Sequence, residues 1–488
     1  MNISRLLLPI LLPAALAVAA PVAAQAGALG SVRPGQTAER ITSVSDSAQH
    51  YAVYLPPGYT ADHDWPVLFA MDPRGRAMVP MRLFRPAAEG LGWIVVSSYN
   101  TASDVDVDPN PAAVGAMLDD VQRAYSIDGR RLYLAGFSGT ARAGWVLAMR
   151  LASHVAGLIG FGAGVPGESP FLMMRAGSRF DFAFFTGAGN EDFNYDEVRT
   201  LDQRLGGTTI AHRFAAFPGP HSWAPQDICT ESLEWMELMA VKRGLTRRPQ
   251  AWLDSAFTAA VARAEARVAA GDRVGALERW RQVVADFGDR RDVRQAEAQV
   301  AELASSRDVR DALERSARTA RRDSAVSTTR FQVLTQADAS PRYPTADRLA
   351  RDLDIAGLKR QAALPDTIVA RSAGRLLKNF LSYAAYYGPK AQMLKQRPER
   401  ALVLLQLARE IDGEGPQICF AEAQAHARMG HRDPAIAALE CVAKVAVDPA
   451  LLEQDAELAP LRGDPRFVAI IQRLRAARTA APAPSSQR

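Results

Sequence analysis

Cysteine is scarce in this 488-residue chain, which has three, Cys229, Cys419 and Cys441. That number excludes a disulfide framework, and no pair of them has the spacing of zinc ligands. Lysine is scarcer than the basic charge suggests, occurring only at Lys242, Lys359, Lys378, Lys390, Lys395 and Lys444, so arginine carries most of the formal net charge of +5. The arginines alternate with Asp and Glu along helical stretches, the pattern of a solvated surface, and no nucleic-acid partner is expected. Beyond the N-terminus no apolar run approaches membrane length, so no span is expected once the leader is removed. What remains is ordinary globular composition, 48% hydrophobic and 23% charged, with room for two or three domains.

Arg5 precedes an apolar run from Leu6 to Ala24 that is broken by Pro9, Pro13 and Pro21, and Ala24-Gln25-Ala26 follows. A basic start, a short apolar region and an A-x-A site describe a cleaved secretory signal over residues 1–26, which implies a periplasmic or secreted protein. An uncleaved anchor is the alternative. No Cys follows the run, which argues against lipid attachment. Export would permit oxidation of Cys419 and Cys441, which flank the turn Gly430-His431-Arg432 at similar distances. An antiparallel hairpin would bring them level as a disulfide, and packed free cysteines are the other reading.

From a flexible lead onward, apolar strands alternate with helical segments. Strands are expected at Tyr51–Leu55, Val67–Met71, Trp93–Ser97, Leu132–Ala135, Ala156–Phe161, Asp181–Phe185 and Ala211–Phe217. Helices are expected at Ala112–Tyr125, Ala141–Arg150, Tyr195–Leu205 and Ala224–Lys242. This alternation predicts an α/β domain over 27–246, a mostly parallel sheet covered by helices, with any ligand at the carboxyl ends of the strands. Past the linker Arg247-Arg248-Pro249-Gln250 the strands stop, and an all-α region is expected over 251–479. There Ala401, Leu405 and Ala408 recur 34 residues on as Ala435, Leu439 and Val442, the period of a tetratricopeptide hairpin. Ala276, Trp280 and Val283 after Gly271 repeat the spacing out of phase. Residues 480–488 are Pro/Ser-rich and read as a disordered tail.

Chemistry concentrates at Gly136-Phe137-Ser138-Gly139-Thr140, between a predicted strand and a predicted helix. Its small-x-Ser-x-small form is that of a nucleophile elbow, in which a strained serine projects from the top of a sheet. Thr140 stands where a second glycine is usual, and a slightly splayed turn is expected from its branched side chain. A serine hydroxyl needs an imidazole base and an acid to orient it. Asp192 and His221 each follow a strand and complete the order Ser, Asp, His. Glu191 is the reserve acid, whereas Asn194 and Glu197 read as a helix cap and its partner, with Asp196 in the first turn. The oxyanion would take the amide of Gly139 and one from Arg74 or Gly75. Trp223 either lines the pocket or packs the following helix, and Tyr99 is either a pocket residue or a surface aromatic. Asp104, Asp106 and Asp108 fail as a calcium loop, since Pro109 stands where Gly is required and Gly115 where the bidentate Glu should be. No metal or organic cofactor is expected.

On Leu134-Ala-Gly-Phe-Ser138-Gly-Thr-Ala-Arg142, Glu191-Asp-Phe-Asn-Tyr195 and Gly219-Pro-His221-Ser-Trp223, residues 50–243 resemble the α/β-hydrolase superfamily. The nearest branch is that of exported bacterial esterases related to polyhydroxybutyrate depolymerases and feruloyl esterases. The resemblance implies Ser138 as nucleophile, Asp192 as acid and His221 as base. Asp72-Pro-Arg-Gly75 stands at the oxyanion loop without the family's His-Gly. The expected activity is hydrolysis of a small or polymeric carboxylic ester. Alternatives are a prolyl-oligopeptidase-like serine peptidase, against which stands the lack of a propeller-like repeat upstream, and a non-catalytic domain whose helical repeats bind a protein partner.

Overall fold

The computed structural model describes residues 29–30, 32–151, 154–167, 180–365, 367–445 and 447–480. The expected signal (1–26) and nearly all of the expected tail (480–488) lie outside them. Eight strands form one sheet in the order β1-β2-β4-β3-β5-β6-β7-β8. They are β1 (Thr37–Thr42), β2 (His50–Tyr54), β3 (Trp65–Met71), β4 (Ile94–Ser98), β5 (Ile127–Phe137), β6 (Val155–Phe161), β7 (Ala183–Gly189) and β8 (His212–Phe217). β3 runs parallel to β4 and β5, β5 runs parallel to β6, and β2 joins β4 antiparallel. β3, β4, β6, β7 and the second half of β5 (Leu132–Phe137) are apolar or nearly so, as strands covered on both faces must be, whereas β5 begins with the charged Asp128, Arg130 and Arg131. The covering helices include α1 (Met78–Leu91), α2 (Asn110–Ala124), α3 (Gly139–Arg150), α4 (Tyr195–Leu205) and α5 (Gln226–Lys242).

The sequence reading differs at two places. The lead contains β1, which pairs with β2 through a register shift between Ala38 and Ile41. Its short, partly exposed pattern lacks the apolar run that marks the inner strands. α1 has prolines at Pro80 and Pro86 in its sequence, which hide its period, yet it buries Met81, Phe84, Ala88 and Leu91 on one face.

The chain divides into two compact units. The first takes the described residues up to Thr186, then Asp202–Ala215 and Trp223–Arg247. Its interior holds Trp93, Tyr133 and a buried ion pair of Arg131 with Glu237, whose carboxylate also accepts the Trp93 indole N–H at 2.8 Å. The second takes everything after Arg247 together with Gly187–Leu201 and Ala216–Ser222, so the cut does not follow chain order.

Beyond Arg247 every described element is helical: α6 (Gln250–Ala269), α7 (Arg273–Phe287), α8 (Arg294–Ser305), α9 (Arg307–Ala339), α10 (Ala346–Asp352), α11 (Ile355–Ala362), α12 (Ile368–Ser382), α13 (Gly388–Leu394), α14 (Pro398–Asp412), α15 (Pro416–Arg428), α16 (Arg432–Val442), α17 (Pro449–Gln454) and α18 (Pro465–Ala480), with a π-helical turn at Tyr383–Tyr387 and a 3₁₀ turn at Ala459–Leu461. Two helix–helix turns share one geometry. Gly271 and Gly430 take φ of 72° and 75°, and in each turn the next amide, Asp272 or His431, donates back to the preceding helix. Only a residue without Cβ adopts that left-handed closure at no steric cost. Ala401, Leu405, Ala408, Ala435 and Leu439 are wholly buried. Among the described residues no helix is long and apolar enough to cross a membrane.

Cys419 of α15 and Cys441 of α16 are joined as a disulfide, and Cys229 is a buried free thiol. Titration of the denatured, unreduced protein should find one thiol, rising to three after reduction. A crosslink across a sequence separation of 22 residues stabilises by about 3 kcal/mol in the chain-entropy account. The Cys441→Ser variant should therefore lose about that much unfolding free energy, read from the lower midpoint and the slope of urea unfolding.

Candidate active site

Ser138 sits between β5 and α3 with φ 54° and ψ −127°, a region that L-residues rarely occupy. The strain is enforced from both sides. A Cβ on Gly136 would stand 2.5 Å from the carbonyl oxygen of Thr140, and one on Gly139 would stand 2.3 Å from the Cβ of Ser103. Thr140 does not splay the turn. Its wholly buried hydroxyl lies 2.7 Å from the Met71 carbonyl and 2.8 Å from that of Phe137, and it accepts the Phe137 amide at 3.1 Å. The branched residue thus ties the turn to the end of β3, a function that a glycine could not serve. Gly139 opens α3, so its amide belongs to the first turn, whose N–H groups have no acceptor within the helix.

The loop after β3 is built on Asp72. Its side chain has no solvent exposure and accepts from Arg76 Nε and Nη2, both at 2.9 Å, from the Trp223 indole N–H at 2.9 Å and from the Arg74 amide at 2.9 Å. Burial alone would raise this carboxyl, but the bonds from Arg76, Trp223 and Arg74 outweigh it and hold it below its ordinary value. The amides put forward as the second oxyanion donor are engaged inside this turn. Arg74 N–H goes to the Asp72 carboxylate and Gly75 N–H to the Asp72 carbonyl at 3.1 Å. Each amide has one hydrogen, so both hold the turn as placed. Trp223 is buried against Phe84 and Phe137, with ring centroids at 6.1 and 5.8 Å. Tyr99 donates to the carbonyl of Glu39 at 2.8 Å beneath Arg40, which fixes it at the β1 side of the sheet.

In the second unit Asp192 and His221 are brought together. Nδ1 of His221 lies 2.9 Å from each carboxylate oxygen of Asp192, which has no solvent exposure and also accepts the Asn194 amide at 2.8 Å. The Phe193 ring packs against the imidazole with centroids 4.3 Å apart. The reserve acid, Glu191, is exposed and pairs with Lys378 at 2.9 Å, and Asp196 pairs with Arg375. Asn190 registers the two segments. Its amide donates to the Phe217 carbonyl at 2.8 Å, its side chain accepts the Gly219 amide at 3.2 Å, and the Glu191 amide donates to the Gly219 carbonyl at 3.0 Å. Gly189 must be glycine for this approach, because a Cβ there would stand 2.2 Å from the Gly219 carbonyl oxygen.

The sequence places Asp72 in the oxyanion loop but gives its carboxylate no role, and it singles out neither Asn190, Ser103 nor Arg375. For Asp72 a signal existed: a carboxylate in an Asp-Pro-Arg-Gly-Arg run directly after a buried strand. Arg375 carries none, because its partners lie far away in the sequence.

No family model matches the sequence, and no curated protein matches it. Among solved structures, the chain is similar to the fluorophosphonate-binding serine hydrolase FphF of Staphylococcus aureus at 15% identity, over 42% of this chain and 98% of that one, with a TM-score of 0.36. It is similar to an S-formylglutathione hydrolase of Staphylococcus aureus at 14% identity, 42% and 98% coverage and a TM-score of 0.34. It is also similar to the feruloyl esterase module of Clostridium thermocellum at 15% identity, 41% and 86% coverage and a TM-score of 0.32.

The Asp72 network has a pH signature. With its folded-state value below the unfolded one, Asp72 contributes stability that is present above the unfolded value and lost as pH falls through the folded one. Asp72→Asn should cost about 2–3 kcal/mol near neutrality, the scale of hydrogen bonds to a charged group. Urea unfolding of both proteins should show that gap closing as pH falls below about 4.

Proposed function

We propose that this chain is an exported serine hydrolase that cleaves carboxylic esters, with Ser138 as nucleophile, His221 as general base and Asp192 as the acid that orients it. The observation that carries the reading is the pairing of His221 Nδ1 with both oxygens of a fully buried Asp192. A carboxylate in that place selects the tautomer with hydrogen on Nδ1 and leaves Nε2 to accept a proton. The strained backbone of Ser138 supports the nucleophile assignment, because such strain persists only where the surroundings enforce it.

In this reading Ser138 Oγ attacks the ester carbonyl as its proton passes to His221 Nε2. The Gly139 amide donates to the developing oxyanion. Collapse breaks the bond to the alcohol, which leaves with the proton from His221. Water then attacks the acyl-enzyme, giving its proton to His221, and the acid departs as Ser138 Oγ recovers it. The steps need no metal or organic cofactor. The apolar N-terminal run and A-x-A site support export. The buried small-then-large repeat at Ala401–Ala408 and Ala435–Val442 supports a tetratricopeptide-like hairpin in the helical unit, which would stabilise the protein or grip a protein partner.

The Ser138→Ala variant should lose labelling by a fluorophosphonate probe and turnover of 4-nitrophenyl acetate. His221→Ala should lose nearly as much, and Asp192→Ala about four orders of magnitude in kcat, because the three act as one unit. Full labelling of Ser138→Ala would sink the assignment. An active enzyme preferring peptide amides over short acyl esters would replace it with a peptidase.

A further inference from the structure

The segments that carry Asp192 and His221 belong to the same compact unit as the C-terminal helices, and one buried side chain of those helices reaches them. Arg375 of α12 is only 8% exposed. Its Nη1 donates to the carbonyl of Asn190 at 3.2 Å, and its Nε and Nη2 donate to the two oxygens of Asp196 at 3.2 and 3.3 Å. Its guanidinium lies 4.7 Å from the Tyr195 ring centroid. Behind it stands Asp323 of α9, 4.0 Å from Nη2, which accepts the Ser372 hydroxyl at 2.6 Å. The guanidinium thus grips residues on both sides of Asp192. Asn190 is also the residue that bonds Phe217 and Gly219 on the way to His221.

We propose that Arg375 is a positioning residue for the acid–base pair, so that the helical region completes the hydrolase by holding the Asp192 loop and, through Asn190, the His221 loop. The assignment rests on the ester-hydrolase reading above. The physical argument is geometric: a planar fork with five donors can bind a carboxylate edge-on and a carbonyl at the same time, whereas an ammonium cannot reproduce that set. A sub-ångström drift of Asp192 misorients the imidazole, and misplacement on the scale of 1 Å can cost about a hundredfold in rate.

The test is kcat and KM for 4-nitrophenyl acetate with Arg375→Ala and Arg375→Lys, each alone and combined with Asp192→Ala, on the full chain. Acting through Asp192, both single variants should lower kcat about tenfold or more with KM within about twofold, and each should cost less than about twofold once Asp192 is gone. Wild-type kcat in Arg375→Ala overturns the proposal. So does an equal loss in both backgrounds, which is what general support of the fold would produce. Should Arg375→Ala not fold, Arg375→Lys carries the same comparison. A wild-type protein with neither turnover nor labelling of Ser138 overturns the hydrolase reading and this proposal with it, whereas an active enzyme indifferent to Arg375 overturns this proposal alone.

Discussion

A carboxylate removed from water must be given donors, and this constraint organises the molecule more than any single packing contact. Stripped of solvent and unpaired, such a group costs several kcal/mol. Asp72, Asp120, Asp192 and Asp323 are all buried, and each sits where distant parts of the chain meet. Asp72 gathers Arg76, Trp223 and two backbone amides, Arg74 and Arg76. Asp120 takes the Tyr51 hydroxyl and the amides of Val44 and Ser45, pinning the β1–β2 connection to α2. Asp192 takes His221 and Asn194. In each case the loop conformation follows from satisfying the anion, since the loop has few apolar side chains of its own to bury.

This explains which parts of the fold are legible in sequence. β3, β4, β6, β7 and the buried half of β5 read directly because burial on both faces demands apolar runs, whereas the charged start of β5 at Ile127–Arg131 does not. β1 does not, because an edge strand with one partner needs no such run and its residues are mixed. α1 hides behind its prolines, although Pro80 lies in the first turn, where the missing N–H costs nothing. The strained turn at Ser138 and the pairing of Asp192 with His221 are each legible by chain order and by their places after strands. The choice of Asp192 over Glu191 is not legible from residue type; it emerges only when Glu191 is seen facing Lys378 and Asp192 facing the imidazole. Thr140 shows the opposite failure. Its bulk suggests a splayed turn, yet its hydroxyl finds acceptors at Met71 and Phe137 that the sequence could not display.

The helical region appears in sequence as a separate module, since strands vanish after Arg247 and composition changes. Its compact unit nevertheless includes Gly187–Leu201 and Ala216–Ser222. Sequence separation conceals this. Arg375 and Asp196 are 179 residues apart, and nothing local marks either as half of a pair.

Two basic residues of α12 touch the acid-bearing segment, and the difference between them decides where function can reside. Lys378 meets Glu191 at 2.9 Å, but the two side chains are 42% and 54% exposed. Water competes for both charges, and such pairs are worth about 0–1 kcal/mol, too little to hold a loop against thermal motion. The Arg375 side chain is 10% exposed, bidentate to Asp196 and bonded to a backbone carbonyl. Although its partner Asp196 is 38% exposed, releasing the guanidinium would leave a cation with little access to water and a backbone acceptor short of a donor, which costs more than parting an exposed pair. Arg375 therefore joins α12 to the residues on both sides of Asp192, Asn190 and Asp196, within one compact unit.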